Sequence, residues 1–220
     1  VGTGKLAGVD PREMAVADVV VIWGTTAAST QVNVMTHALR ARRDRGAKIV
    51  VVDTYLNSTA KQADLFVCVR PSTDGAVACA VMHVLFRDDH VDRDYLERYT
   101  DCPKELETHL ESRTPEWASE ISGVPVETLE MLAKLIGGNR RSYFRLGYGF
   151  SRHRNGAVNM HAVACIPALT GAWQHAGGGA HYNNGAIYHW DRTMIDGLDK
   201  VDPNAVSYTH LRAHETLRYL

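Results

Sequence analysis

Five unbroken apolar residues, Val19 to Trp23, stop at Gly24, and the hydroxyl residues Thr25, Thr26, Ser29 and Thr30 follow. Glycine lets a backbone turn tightly and come close to a ligand. The hydroxyls are candidate N-caps for a helix. A strand, a turn and a helix N-terminus in that order form the place where α/β proteins hold phosphates. An ordinary turn without a ligand has the same appearance. A second loop, GYGFSRHRNG at 147–156, joins backbone freedom to the cations Arg152 and Arg154, ahead of a helix predicted over 157–169. It is a second candidate anion site, with structural glycines in a tight loop as the alternative. Two such loops in one chain favour a large polyphosphate ligand. Asp53 adds a carboxylate at the end of another apolar run. There it can accept hydrogen bonds from ribose hydroxyls or cap the next turn.

Other chemistries are less well supported. The first turn reads W-G-T-T-A-A-S instead of G-x-G-x-x-G, which disfavours a standard nicotinamide or flavin site. The P-loop pattern G-x-x-x-x-G-K-[ST] and the nucleophile motif G-x-S-x-G are both absent. Cys68, Cys79, Cys102 and Cys165 are too scattered for a C-x-x-C pair or a local metal site. His83, His90 and His109 lie on predicted helices with no partner at ligand spacing. His153, His161, His175, His181 and His189 share a region with Asn183 and Asn184, but no pair has the spacing of a metal-binding helix. No metal ligand is assigned.

The elements that must position these loops follow from periodicity. Apolar runs predict strands at 19–23, 48–53 and 64–69, and RSYFRL at 141–146 is read as a fourth. A helix over 31–45 carries Val32, Met35 and Leu39 at helical spacing, widened by Val34, Ala38 and Ala41, and stops at Gly46. The helix after the loop 70–75 has Val77, Ala80, Val81, Val84 and Leu85 on one face. Three more helices are read at 92–100, 104–112 and 125–136. The alternation predicts an α/β fold, doubly wound, with a mainly parallel sheet flanked by helices.

The chain has 220 residues and a formal net charge of -1, which gives no electrostatic case for nucleic acid. No apolar run approaches the roughly 18 residues of a membrane span. Nothing requires an oxidising compartment. The cytoplasm is the expected location, with the periplasm open because a targeting segment would lie upstream of Val1.

The order of pieces resembles the molybdopterin oxidoreductases of the dimethyl sulfoxide reductase and formate dehydrogenase family. The matching pieces are ADVVVIWGTTAAST, GAKIVVVD, TAKQADLFVCVRPSTDGAVACAVMHVLF, RLGYGFSRHRNGAVNMHAV and TGAWQHAGGG, over about 10–190. The resemblance implies a dinucleotide-binding domain for molybdenum bis-molybdopterin guanine dinucleotide, with tungsten as the alternative metal. Trp23, Gly24, Thr25 and Thr26 would lie against the guanine dinucleotide, and Asp53 would hold a ribose. Ser72, Thr73 and Asp74 would contact the guanine base. Gly147, Tyr148, Gly149, Ser151 and Arg152 would reach toward the pterin and phosphate end. The chain departs from the family at Thr26, usually Asn, at Ser72, usually Gly, and at 54–56, where an Arg is usual.

The resemblance also implies a longer enzyme, with its metal ligand and often a 4Fe-4S cluster upstream. A small-molecule substrate and an electron-transfer subunit or redox carrier would be its partners. The expected organisation is an entry segment at 1–16, the cofactor-binding domain at 17–180 and the start of a further segment at 181–205. The tail VSYTHLRAHETLRYL at 206–220 resembles translated adapter read-through, with a native amphipathic helix as the alternative. Two other functions stay open: a stand-alone nucleotide-binding module of sugar-nucleotide or NAD type, and a non-catalytic scaffold relative.

Overall fold

The computed structural model describes residues 8–183 and 191–197. The expectations for 1–7, for 184–190 and for the tail from 198 onward lie outside the described residues. Five parallel strands form one sheet: β1 (Val19–Trp23), β2 (Lys48–Asp53), β3 (Leu65–Cys68), β4 (Ser142–Leu146) and β5 (Gly179–His181). Their order is β3-β2-β1-β4-β5. The chain winds outward from β1 to β3, then returns to place β4 on the other side of β1.

The apolar runs are continuous because the sheet is covered on both faces. Val19, Val21 and Trp23 enter one layer of the core, while Val20 and Ile22 enter the other. The second layer is closed by a 3-10 turn at Pro11–Val16, by the short α1 (Ala27–Thr30) and by α2 (Val32–Arg45). α2 buries Met35, Ala38 and Ala41, whereas Val32 is 64% and Leu39 38% exposed. The buried stripe is therefore narrower than the sequence pattern and made largely of alanine, which lets the helix sit close to the strands. Two of its C-terminal arginines tie it to the strands: Arg42 pairs with Asp64 at 2.7 Å and Arg45 with Asp18 at 2.6 Å.

The opposite layer holds α3 (Asp74–Arg87), α4 (Arg93–Tyr99), α5 (Pro103–Leu110), α6 (Pro115–Ser122), α7 (Val126–Gly137) and α8 (Gly156–Leu169). α3 buries the apolar set read from its spacing. Among the elements not anticipated, α6 and β5 are the most informative. α6 starts with Thr114, whose hydroxyl accepts the Trp117 N–H at 3.3 Å, and Pro115; it stops at Gly123 with φ 74°. Those are standard start and stop signals. The triple glycine, expected as loop, leads into β5. Gly177 and Gly179 take φ of 85° and 94°, and a Cβ at Gly178 would lie 2.2 Å from the Ala172 carbonyl oxygen.

All of this belongs to the unit Val1–Asn184. In the second unit, Gly185–Leu220, the described residues hold the short α9 (Thr193–Asp196), with Arg192 and Asp196 paired at 2.9 Å. No helix among the described residues is long and apolar enough to cross a membrane.

Candidate functional site

A parallel sheet wound in two directions has a cleft where the winding reverses, outside the carboxyl ends of the strands. Here the reversal falls between β1 and β4. The loops of both strands meet at that edge, so most of the residues singled out in the sequence gather there.

The glycines serve mainly to bring the two loops together. The Gly147 N–H donates to the Trp23 carbonyl at 2.8 Å, and the Gly149 N–H to the Gly24 carbonyl at 2.9 Å. A Cβ on Gly147 would lie 2.2 Å from the Gly24 oxygen, and one on Gly149 2.7 Å from it. Gly24, at φ 66°, turns its open side to Phe150, whose ring carbon would sit 2.4 Å from an added Cβ. The close approach read from Gly24 is thus an approach of protein to protein. Thr25 and Thr26 are half-buried beside it.

The hydroxyls expected to cap the first helix do other work. Thr26 holds the N-cap position of α1 without a side-chain bond. The cap comes from Thr59 after β2, whose buried hydroxyl accepts the Ala28 N–H at 3.0 Å. Ser29 meets Ser58 at 3.1 Å, and the Thr30 hydroxyl donates back to the Thr26 carbonyl at 3.1 Å.

Asp53 caps its own turn. One carboxylate oxygen accepts the Thr54 N–H at 2.7 Å and the other the Asn57 amide at 2.9 Å. Trp23 is fully buried, and its indole N–H donates to Asp74 Oδ1 at 2.7 Å. Asp74 opens α3 and is 3% exposed. Burial pushes its carboxyl above the ordinary range, and the nearby Asp53 pushes the same way; the Trp23 hydrogen bond and His153 pull against them. Trp23 therefore supports the Asp74 end of the switch-point loops from inside the core. Ser72 and Thr73 are half-buried on the rim. Ser72 has φ 71°, a left-handed conformation that suits glycine. The Thr73 hydroxyl donates to the Arg70 carbonyl at 2.7 Å.

Two asparagines not singled out in the sequence tie this turn to α8. The Asn155 amide donates to the Ser72 carbonyl at 2.8 Å, and Asn159 does so at 3.4 Å. The Asn159 oxygen accepts the Gly75 N–H at 3.1 Å. Asn159 is buried on a helix that is mostly apolar, and that polar interruption was the available signal.

On the β4 side, Tyr148 is 41% exposed and packs edge-on against Tyr182, ring centroids 4.9 Å apart. The Arg152 guanidinium lies over the Tyr148 ring at 5.6 Å, and the Asn183 amide donates to the Tyr148 hydroxyl. The Ser151 hydroxyl bonds the Tyr148 carbonyl at 3.0 Å and meets the Tyr182 hydroxyl at 3.2 Å. Among the described residues, no group of His, Cys, Asp and Glu is arranged to hold a metal ion.

The class is now defined: a doubly wound α/β domain whose β1 and β4 loops meet at the switch point, with Asp53 and Asp74 following β2 and β3, where Arg70 also lies, and with Arg152 and Arg154 following β4. Comparison with known proteins narrows it. The molybdopterin oxidoreductase family model matches residues 6–216. The chain is 39% identical over 196 residues to the probable oxidoreductase YoaE of Bacillus subtilis, covering 89% of this chain and 29% of that protein. It is 31% identical over 243 residues to the probable dimethyl sulfoxide reductase chain YnfF of Escherichia coli, covering 97% of this chain and 30% of that protein. Among solved structures, acetylene hydratase from Pelobacter acetylenicus shares the fold, with a TM-score of 0.67 at 18% identity over 72% of this chain and 22% of that one. The chain belongs to the molybdopterin oxidoreductase family. It spans less than a third of the length of these relatives.

Proposed function

We propose that this chain is the part of a molybdenum oxidoreductase that holds the guanine dinucleotide end of a bis-molybdopterin guanine dinucleotide cofactor. The observation that carries this reading is the charge division of one sheet edge. Guanine and ribose present N–H and O–H donors, which carboxylates accept. The diphosphate presents anionic oxygens, which guanidinium groups bind. Asp53 and Asp74 stand on one side of the switch point and Arg152 on the other, matching the two ends of such a ligand. Asp74 is nearly sealed, so the base reaches it by lifting the Ser72–Thr73 turn.

Trp23 would keep Asp74 oriented, while Tyr148 and Arg152 would face the phosphate and pterin end. Once bound, the cofactor supplies the redox chemistry. This chain contributes binding, orientation and exclusion of water. The whole protein would pass electrons between a small-molecule substrate and a redox partner.

The test is calorimetric titration of the 220-residue chain with GDP and with ADP. GDP is expected to bind at least about ten-fold more tightly, as a site built to pair with specific N–H groups should. Asp74→Asn should abolish that preference. Equal affinity for the two nucleotides, or a preference that survives in the variant, would sink the reading.

A further inference from the structure

The sequence from 131 to 190 contains no aspartate or glutamate, although the whole chain has 25. Six lysines or arginines and five histidines fall in that stretch. It supplies β4, the loop after it, α8 and β5, so the β4–β5 end of the sheet carries no acid of its own; the acids that face it, Asp10 beside His181 and Glu13 at Gly177, come from the N-terminal segment. Arg145, on β4, lies at the buried centre of that end.

Arg145 is 7% exposed and is in register with His181 on β5, so the two side chains share one face of the sheet. Its Nη1 donates to the carbonyls of Leu146 and Tyr182, the latter at 2.6 Å. Among the described residues, Nε and Nη2 have no hydrogen-bond partner, and Arg145 forms no ion pair; neither nitrogen is sealed from solvent. The Nε–Nη2 edge is the one that takes an oxyanion with two parallel hydrogen bonds. The neighbouring His181, 3% exposed, has its Nδ1 buried without a partner. Burial holds the His181 imidazole below its ordinary range and the Arg145 charge adds to that, while a hydrogen bond to the Val9 backbone and the nearby Asp10 carboxylate pull the other way. A buried charge without a counter-charge costs several kcal/mol. Two incompletely satisfied groups side by side mark a site that lacks one component.

We infer that the Arg145–His181 corner binds a phosphate group. Its Nε–Nη2 edge takes two phosphate oxygens, and the exposed Arg152 adds long-range attraction. One source is the diphosphate of the dinucleotide; in that case the site deepens the function proposed above and rests on it. The other source is free phosphate.

The experiment is thermal-shift and calorimetric titration of the 220-residue chain with inorganic pyrophosphate and with GDP, in wild type, Arg145→Gln and Arg145→Lys. Pyrophosphate is expected to raise the melting temperature of the wild type and to bind Arg145→Gln at least ten-fold more weakly. A parallel loss of GDP affinity identifies the dinucleotide as the source; unchanged GDP affinity identifies free phosphate. Arg145→Lys keeps the charge but not the two-pronged edge, so it should also bind pyrophosphate about ten-fold more weakly, and it serves if Arg145→Gln does not fold. Equal pyrophosphate affinity in wild type and Arg145→Lys overturns the inference. So does the absence of pyrophosphate binding to the wild type, and if GDP still binds, the proposed function survives that failure. Pyrophosphate binding without GDP binding supports this site and sinks the guanine reading.

Discussion

The two halves of the sheet's carboxyl edge handle polar groups in opposite ways. On the β2–β3 side, both Asp53 oxygens accept hydrogen bonds, and Asp74 is sealed against the Trp23 indole. On the β4–β5 side, the Nε–Nη2 edge of Arg145 is unused and Arg152 lies exposed over Tyr148. The first half uses part of the accepting capacity of its carboxylates to hold loops in shape and keeps the remainder for a ligand; the second leaves whole donors over. Polar density alone therefore does not locate binding. What matters is whether the hydrogen-bonding capacity of each group is already met.

The comparison depends on the halves being joined rigidly. Gly147→Ala tests this with the largest expected effect. The new methyl would meet the Gly24 carbonyl at 2.2 Å and Thr25 Cβ at 2.4 Å. Backbone cannot swing away as a side-chain tip can, so the β1 and β4 loops would have to part. Overpacking of this kind costs about 3 kcal/mol, which urea unfolding would register. A loss below about 0.5 kcal/mol, within the range of neutral surface changes, would mean that the loops have slack and that the two halves are independent.

Much of that framework was legible in the sequence. Continuous apolar runs gave β1 and β2, because a strand covered on both faces has no polar side to display. The glycine loops were visible as loops, but their partner was not. Gly24 and Gly147 are far apart in sequence, and nothing local says that each glycine makes room for the other. β5 was hidden because AGGGAH has no apolar run; its backbone becomes a strand only beside β4. Asn159 contacts Gly75 across 84 positions, and Arg145 reads as one polar residue inside a strand. α6 is different, since Thr114, Pro115 and Gly123 carried its start and stop within the sequence itself.

Trp23→Phe sharpens the acidic side of the comparison. The substitution keeps an aromatic ring but removes the N–H that Asp74 accepts, leaving a buried carboxylate without that donor. The expected loss is about 2 kcal/mol at pH 7 to 8. Burial raises the Asp74 pKa in the folded protein, and losing a donor to the charged form raises it further. The group binds its proton more tightly folded than unfolded, so its ionisation destabilises the fold above the folded pKa. The loss should therefore shrink as pH falls through that raised value and Asp74 becomes neutral. Denaturation from pH 8 to pH 4 measures it. A loss that stays constant with pH would assign the whole effect to the smaller ring and none to the hydrogen bond.

The smallest effect is expected at Ser72, and it shows which half imposes the strain. A non-glycine residue in the left-handed region costs about 1 kcal/mol, and Ser72 sits there at φ 71°. Ser72→Gly removes that cost but widens the unfolded ensemble, so the net gain should be a few tenths of a kcal/mol, or a rise in melting temperature of about 1–2 °C. The Ser72 carbonyl is gripped by Asn155 and Asn159, both from the basic half. If that grip sets the conformation, the turn relaxes once Asn159 is replaced by alanine, and glycine then gains nothing. The Ser72→Gly, Asn159→Ala cycle should accordingly be non-additive. An undiminished gain in the Asn159→Ala background would place the strain within the acidic half, in the Thr73 bond to the Arg70 carbonyl. The charge division would then have no mechanical counterpart.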